Sequence, residues 1–335
     1  MDVINIGILG MGRIGRLHAE LLLYQMDRLR PKAVYDVSPQ AAEIGRRMGI
    51  QVADSVDAVF DDPEIEAVAI CTSTDTHPDL MIRAAQAGKA IFCEKPIAHD
   101  LGEVDRALAV IEETGVYLQI GFNRRFDPSH RAVHQAVAAG ELGEVHLVRI
   151  TSRDPAPPPI SYVKVSGGIF LDMTIHDFDM ARYVTGSEVA EVYAQGGVRV
   201  DPAIGEAGDL DTAVVVLTHE NGAITTIDNS RQAVYGYDQR VEAFGSKGMA
   251  VSQNPGATTT VLWDKSGSRG ATLPYFFIER YIPSYLAGWE AFAEGVLSGG
   301  PSPVNGHDGR APLVIGKAAW KSIQEGRPIR TAQIG

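Results

Sequence analysis

The chain reads as an α/β protein in two parts, a doubly wound parallel sheet followed by an α+β domain with a large open, mostly antiparallel sheet. Three observations carry that reading. Apolar strand-like runs alternate with helical runs over roughly the first 120 residues, the pattern of a parallel sheet flanked by helices. A glycine-rich turn joins the first strand to the first helix. Beyond residue 122 the alternation stops, a proline run intervenes, and extended segments then follow one another.

The elements follow in order. Residues 3–9 are apolar and branched, which suits a strand buried on both faces, and 16–24 make a helix. A short strand at 33–35 ends at Asp36, and 39–48 is helical. Residues 67–71 are the third strand, and the helix 78–87 stops at Gly88. A strand at 90–93, a helix at 101–113 and a strand at 117–120 complete the first domain, 1–122. The second, 123–335, opens with a helix at 128–139 and a strand at 145–151. Prolines 155 and 157–159 exclude regular structure, because each removes a donor and fixes φ. A single helix is expected over 172–185, then strands at 189–194, 212–219, 223–230, 239–244, 249–252 and 258–263. Asn221-Gly222 marks a hairpin turn among them. Helices at 281–297 and 311–324 close the chain.

Composition narrows the function classes. At 335 residues, 45% hydrophobic and 21% charged, the chain has the makeup of a two-domain globular protein. A net charge of −12 argues against nucleic acid and against an anionic membrane surface, but not against a neutral polyol or sugar. Two cysteines, Cys71 and Cys93, suit reduced thiols rather than a disulfide framework, and no zinc spacing is present. With no leader-like or membrane-length apolar segment, a soluble cytoplasmic protein is expected, with no metal.

Gly10-Met11-Gly12-Arg13-Ile14-Gly15 is a Gly-x-Gly-x-x-Gly between a strand and a helix. Gly10 permits the tight turn, Gly12 the approach of main chain to a pyrophosphate, and Gly15 close helix–strand packing. The helix N-terminus adds N–H donors, and Arg13 lies nearest the pyrophosphate. Asp36 ends the second strand about 20 residues on, where an acid binds both ribose hydroxyls and repels a 2′-phosphate, so NAD is favoured over NADP. Thr72, Ser73, Thr74 and His77 follow the third strand, at the carboxyl edge where ligands bind, although helix capping explains some of them equally well.

Glu94-Lys95-Pro96 follows the next strand and therefore sits at the same edge. A lysine there, stiffened by Pro96, could hold a substrate hydroxyl and exchange its proton. Asp172 and His176 stand four residues apart, on one face if the stretch is helical. Imidazole titrates nearest neutrality and suits the base that removes a hydroxyl proton as hydride leaves the same carbon. Asp172 could orient His176 or Lys95. Asp177 and Asp179 read as structural.

At these motifs the chain resembles the glucose–fructose oxidoreductase/inositol dehydrogenase/MocA family, and within it the inositol 2-dehydrogenases. The resemblance also runs through Gly121-Phe122-Asn123-Arg124-Arg125-Phe126-Asp127, Ser152-Arg153-Asp154-Pro155, Asp209-Leu210-Asp211-Thr212 and Tyr235-Gly236-Tyr237-Asp238-Gln239-Arg240. It implies an N-terminal Rossmann domain, a cis peptide before Pro96, and a homotetramer built by sheet-to-sheet packing. Lys95, Asp172 and His176 become the catalytic trio by the same likeness. Glu94 joins the cofactor site, and Asn123, Arg125, Asp154 and Tyr235 match positions around the polyol. The implied reaction is NAD-dependent oxidation of myo-inositol at C2 to the ketone. One departure stands out: similar enzymes often carry arginine directly before the aspartate, where this chain has Leu171, an exchange expected to alter substrate range. Two alternatives stay open, a dehydrogenase of scyllo-inositol, another isomer or an aldose, and a non-catalytic NAD-binding regulator.

Overall fold

The structure, a computed structural model, describes residues 3–335. These group into two compact units, the first comprising the described residues up to Asn123 with Tyr285–Ala311, the second Arg124–Ser284 with Pro312–Gly335. The sequence reading assigned all of 123–335 to one domain, whereas 285–311 joins the first unit. The reason is apolar: Trp289, Phe292 and Ala293 complete the core over the first sheet, with Trp289 stacked 4.2 Å from Phe92.

In the first unit, β1 (Ile4–Leu9), β2 (Leu29–Tyr35), β3 (Gln51–Val52), β4 (Ala67–Ile70), β5 (Ala90–Cys93) and β6 (Leu118–Ile120) form one sheet in the order β3-β2-β1-β4-β5-β6. Every pair is parallel. This is the dinucleotide-binding order, whose direction reverses between β1 and β4 and leaves a crevice at their carboxyl ends. The helices are α1 (Arg13–Gln25), α2 (Pro39–Arg47), α3 (Val56–Phe60), α4 (His77–Gln86) and α5 (Leu101–Thr114). Two boundaries depart from the sequence reading. Helix α1 starts at Arg13, so Gly15 lies inside it. Strand β2 starts at Leu29, with its register slipping beside Pro31, which has no N–H to give the ladder and so disguised the strand's beginning.

The second unit holds β7 (Val145–Arg153), β8 (Val189–Gly197), β9 (Thr212–His219), β10 (Ile224–Ser230), β11 (Asp238–Gly245), β12 (Gly248–Ser252) and β15 (Ile329–Arg330), in the order β12-β11-β7-β10-β9-β8-β15. Only β7 and β10 pair in parallel. A separate hairpin joins β13 (Val261–Asp264) to β14 (Gly267–Gly270). The helices are α6 (Pro128–Ala138), α7 (Ile160–Val163), α8 (Ile169–Asp172), α9 (Ile175–Thr185), α10 (Pro202–Glu206) and two long ones, α11 (Phe277–Ser298) and α12 (Gly306–Glu325), which continue from one unit into the other.

Val148, Ile150, Val215, Leu217, Ile227, Val241 and Ala243 project from one sheet face into a core with α6, α8, α9 and α12. The opposite face leaves Leu147, Ile224, Phe244 and Met249 exposed. Register places Ile224 beside Leu147, Leu147 beside Phe244, and Phe244 beside Met249, an apolar row four strands wide. Among the described residues no helix is long and apolar enough to cross a membrane.

Candidate active site

In the first unit the glycine loop turns from the end of β1 into α1. Gly10 has φ +93°, and a Cβ there would lie 2.7 Å from the Cys71 carbonyl at the end of β4. A Cβ on Gly15 would come within 1.8 Å of the Gly10 carbonyl oxygen, so the helix packs against the loop with no room for a side chain. Gly12 faces open space, and as N-cap of α1 it offers no side-chain cap to the first N–H groups. Those donors are aimed where a pyrophosphate belongs.

Asp36 accepts the N–H of Met11 at 2.6 Å and that of Ser38 at 2.8 Å, so its carboxylate abuts the glycine loop. An uncapped helix start, an unfilled approach at Gly12 and an acid at the ribose position together fit NAD. Arg13 and Ile14 open α1, with Arg13 exposed. Beyond β4, Thr72 and Thr76 share a hydroxyl hydrogen bond of 2.7 Å, and the Ser73 carbonyl, at the start of the short turn Thr74–Thr76, accepts the Thr76 hydroxyl at 2.8 Å.

The turn after β5 is braced from two sides. Its Lys95–Pro96 peptide is cis, as the family resemblance implied. On one side, the Trp289 indole N–H donates to His18 Nδ1 at 2.9 Å, and indole only donates, so the ring proton lies on Nε2 and is given to Glu94 Oε1 at 2.8 Å. Glu94 Oε2 in turn accepts the Lys95 N–H at 3.3 Å. A Cβ on Gly121 would lie 3.0 Å from that carboxylate, so glycine leaves Glu94 its place.

On the other side His77 is buried, with Nδ1 2.9 Å from the Pro96 carbonyl and Nε2 3.1 Å from the Thr72 carbonyl. Burial pushes its pKa down against the pull of those carbonyls, so a neutral ring donates to one of them. His77 is thus turned into the protein as a strut between two loops.

In the second unit the expected helix over 172–185 is interrupted. α8 ends at Asp172 and α9 starts at Ile175, because the buried Thr174 hydroxyl bonds Asn229 Oδ1 at 2.6 Å and its N–H closes on the Ile169 carbonyl at 2.9 Å. Asp172 and His176 therefore belong to consecutive short helices, and not to one helical face.

Asp172 Oδ1 accepts the Tyr162 hydroxyl at 2.8 Å, and Oδ2 accepts Arg231 Nη1 at 3.1 Å. Arg231 is 1% exposed and also reaches Asp209 Oδ2 at 3.4 Å. Asp154 follows β7, with its N–H on the Ser230 carbonyl at 2.9 Å. Burial pushes its pKa up to about 6; Arg231 opposes this, Asp172 adds to it, and Arg124 and Asp177 act more weakly. Asp154, Asp172, Arg231 and Arg124 thus form one electrostatic neighbourhood.

Other expected site residues lie as follows. Arg125 is engaged by Asp179, through Nε at 2.9 Å and Nη2 at 2.6 Å, and lies 5.2 Å over the Tyr183 ring. Its neighbour Arg124 pairs with Asp177 at 2.7 Å and approaches the Tyr237 hydroxyl at 3.5 Å. Asp177 and Asp179 are thus partners in buried ion pairs, in keeping with the structural reading. Tyr235 is half exposed, donating to Asp238 at 2.7 Å and accepting from Arg153 at 3.0 Å. Asn123 is buried with its Nδ2 lacking a partner among the described residues.

Leu171, directly before Asp172, is buried, with Cδ2 2.6 Å from where a Cβ on Gly316 would stand. The arginine-to-leucine departure therefore falls at a packing position against α12. Sequence reasoning missed Arg231, Tyr162 and His18. Arg231 comes beside Asp154 only because β10 runs parallel to β7 and their ends coincide, for which the sequence holds no signal.

Comparison with known proteins extends this picture. A family profile described as an oxidoreductase family with an NAD-binding Rossmann fold matches residues 4–122, and the GFO/IDH/MocA C-terminal domain profile matches residues 130–251. A Thermotoga maritima protein named myo-inositol 2-dehydrogenase is 49% identical over 332 residues, covering 98% of this chain and 99% of that protein. A Rhizobium meliloti protein named inositol 2-dehydrogenase is 46% identical over 330 residues, covering 98% and 99% respectively. The structure of a scyllo-inositol dehydrogenase from Lactobacillus casei, with bound NAD(H) and scyllo-inositol, matches with TM-score 0.92 at 30% identity, covering 99% of this chain and 100% of that one. With both profiles matched in order along the chain and near full-length relatives, the protein belongs to the GFO/IDH/MocA family of NAD-binding oxidoreductases.

Proposed function

We propose that this enzyme oxidises myo-inositol at C2 to 2-keto-myo-inositol. The observation that carries the reading is the neighbourhood of Asp154, Asp172, Arg231 and Arg124. A neutral polyhydroxy ring needs acceptors for its hydroxyl protons, which carboxylates supply, and a few fixed donors. Four carboxylates, counting Asp177 and Asp209, against two guanidiniums disfavour a phosphorylated sugar. Relatives named for inositol oxidation, matched over nearly their whole length, support the same substrate.

Bound NAD supplies the hydride acceptor. His176 takes the C2 hydroxyl proton as the C2–H electron pair departs, and Lys95 holds the same oxygen and stabilises its developing negative charge. Asp172 is the carboxylate assigned to orient the base. Asp154, Asn123, Arg125 and Tyr235 fix the remaining ring hydroxyls, with Arg124 beside Asp154.

The test is a panel of inositol isomers and aldoses assayed for NADH formation. Highest kcat/KM on myo-inositol is expected. Turnover of aldoses alone would overturn the assignment, and NAD binding with no turnover of any member would revive the regulator.

The exposed row Ile224, Leu147, Phe244 and Met249 supports a homotetramer built through this sheet face, since such a contiguous apolar surface marks an interface. Phe244→Glu should lower the mass seen in sedimentation, and a monomeric wild type would remove the idea. The two thiols, Cys71 and Cys93, make no disulfide and suit a reducing, cytoplasmic location.

A further inference from the structure

Arg231 is buried yet charged, an arrangement that persists only where anions face the guanidinium. Two do so directly. Nη1 meets Asp172 Oδ2 at 3.1 Å and Nη2 meets Asp209 Oδ2 at 3.4 Å. Asp209 is itself fixed, because its Oδ1 accepts the Ile169 N–H at 2.9 Å at the start of α8. The Arg231 main chain is held too, with its N–H on the Asp211 carbonyl at 2.8 Å. A rigid line therefore runs from the beginning of α8, through Asp209 and Arg231, to the carboxylate that ends the same helix. Its other oxygen, Oδ1, accepts the hydroxyl of Tyr162, a half-exposed side chain.

We propose that Arg231 is a positioning residue of the reaction, anchored by Asp209, which fixes the Asp172 carboxylate in place beside Asp154. The inference rests on the dehydrogenase reading given above. Arg231 acts through Asp172, the carboxylate it holds.

The charged groups of this cluster explain the need. Asp154 follows β7, Asp172 ends α8, Asp177 lies in α9, and Asp209 precedes β9, all carboxylates; Arg124 is the second cation and Tyr162 the neutral donor. Without Arg231, Asp154, Asp172 and Asp209 would lose the cation they have in common. Like charges at close range cannot all remain ionised, so a proton would be taken up near neutrality. A protonated Asp154 then presents a donor where the polyol requires an acceptor.

The experiment measures wild type, Arg231→Met, Arg231→Lys and Asp209→Asn with NAD and myo-inositol across pH 5–9.5, alongside NAD titration by fluorescence. For Arg231→Met, kcat/KM for the polyol should fall about a hundredfold, with the acid limb of its pH profile moved up by about one unit, while NAD affinity changes less than about twofold. Arg231→Lys should restore the acid limb but leave kcat about tenfold low, because an ammonium is a point charge that cannot bridge two carboxylates. A lower melting temperature with an unchanged pH profile and kcat would show a merely structural residue and overturn the proposal. Should Arg231→Met not fold, Asp209→Asn decides: kcat reduced with NAD affinity retained supports the anchor, and wild-type kcat removes it. Wild-type turnover with indifferent variants sinks this inference alone, whereas no wild-type turnover of any polyol or sugar sinks the functional reading with it.

Discussion

The glycine loop of the first unit and the carboxylate cluster of the second achieve recognition by opposite routes. The loop works through main-chain groups contributed by consecutive residues, Gly10 to Gly15, whose missing side chains are the essential feature. The cluster works through side chains gathered from separate segments, Arg124, Asp154, Asp172, Asp209 and Arg231, each needing a partner to be buried. Main-chain recognition is robust to everything except a Cβ in the wrong place. Side-chain recognition is sensitive to every charge, since removing one leaves others uncompensated.

Lys95→Ala should give the largest effect. It removes the group proposed to hold the reacting oxygen without touching the glycine loop, so kcat should fall about a thousandfold while NAD affinity stays within a few fold. Steady-state kinetics with a parallel NAD titration reads this, and an undiminished rate would remove lysine from the chemistry. Next comes a pair of substitutions within the loop. Gly15→Ala drives a methyl onto the Gly10 carbonyl oxygen and should cost about 3 kcal/mol or more, seen as a large loss of thermal stability. Gly12→Ala fills open space, so the melting temperature should hold while NAD binds about tenfold or more weakly. Equal behaviour of the two variants would refute the division between packing glycine and approach glycine.

His130 extends the comparison to the buried side chains of the second unit. Burial pushes its pKa down to about 4, with Asp127 opposing and Arg280 adding, and its Nδ1 faces the Ser252 hydroxyl at 2.8 Å. Its folded pKa is below the unfolded one, so between about pH 6.5 and 4 the unfolded chain binds more protons. Stability is therefore lost as pH falls through that window, by roughly 3 kcal/mol. Asp127, held low in spite of its burial by His130 and by its pair with Arg280, loses stability in the same direction. Melting curves from pH 7 to 4.5 should show the decline, and His130→Gln should flatten it.

The smallest effect expected is at Asp154. Its raised pKa means that stability contributed below about pH 4 is lost as pH rises through about 6. Asp154→Asn should therefore melt slightly higher than wild type at pH 8 while losing about tenfold in kcat/KM for the polyol. In wild type, kcat/KM should fall below about pH 6 as Asp154 protonates. An unaltered acid limb in the variant would assign that titration to another group.

Some of this molecule was legible before any coordinates. The glycine fingerprint, Asp36 and the alternation of strands and helices led to the parallel sheet and its cofactor edge, because those features depend on neighbours in sequence. The break between Asp172 and His176 was not legible, since it depends on Thr174 meeting Asn229 from β10. Nor was the inward turn of His77, which needs the Pro96 carbonyl to come alongside. Nor was the packing of Leu171 against Gly316 of α12, which only the folded chain brings together.

What the sequence determined by itself was whatever rests on local backbone rules and on periodicity: the order of the elements, the nucleotide loop and the acid that follows it. Tertiary structure alone decided which carboxylates became neighbours, which arginine serves them, and that residues 285–311 return to complete the first core. The physical reason is that a buried charge is placed by its counter-charge. Arg231 lies 59 residues from Asp172, and only the pairing of β10 with β7 brings the segment carrying Arg231 to its place in the cluster.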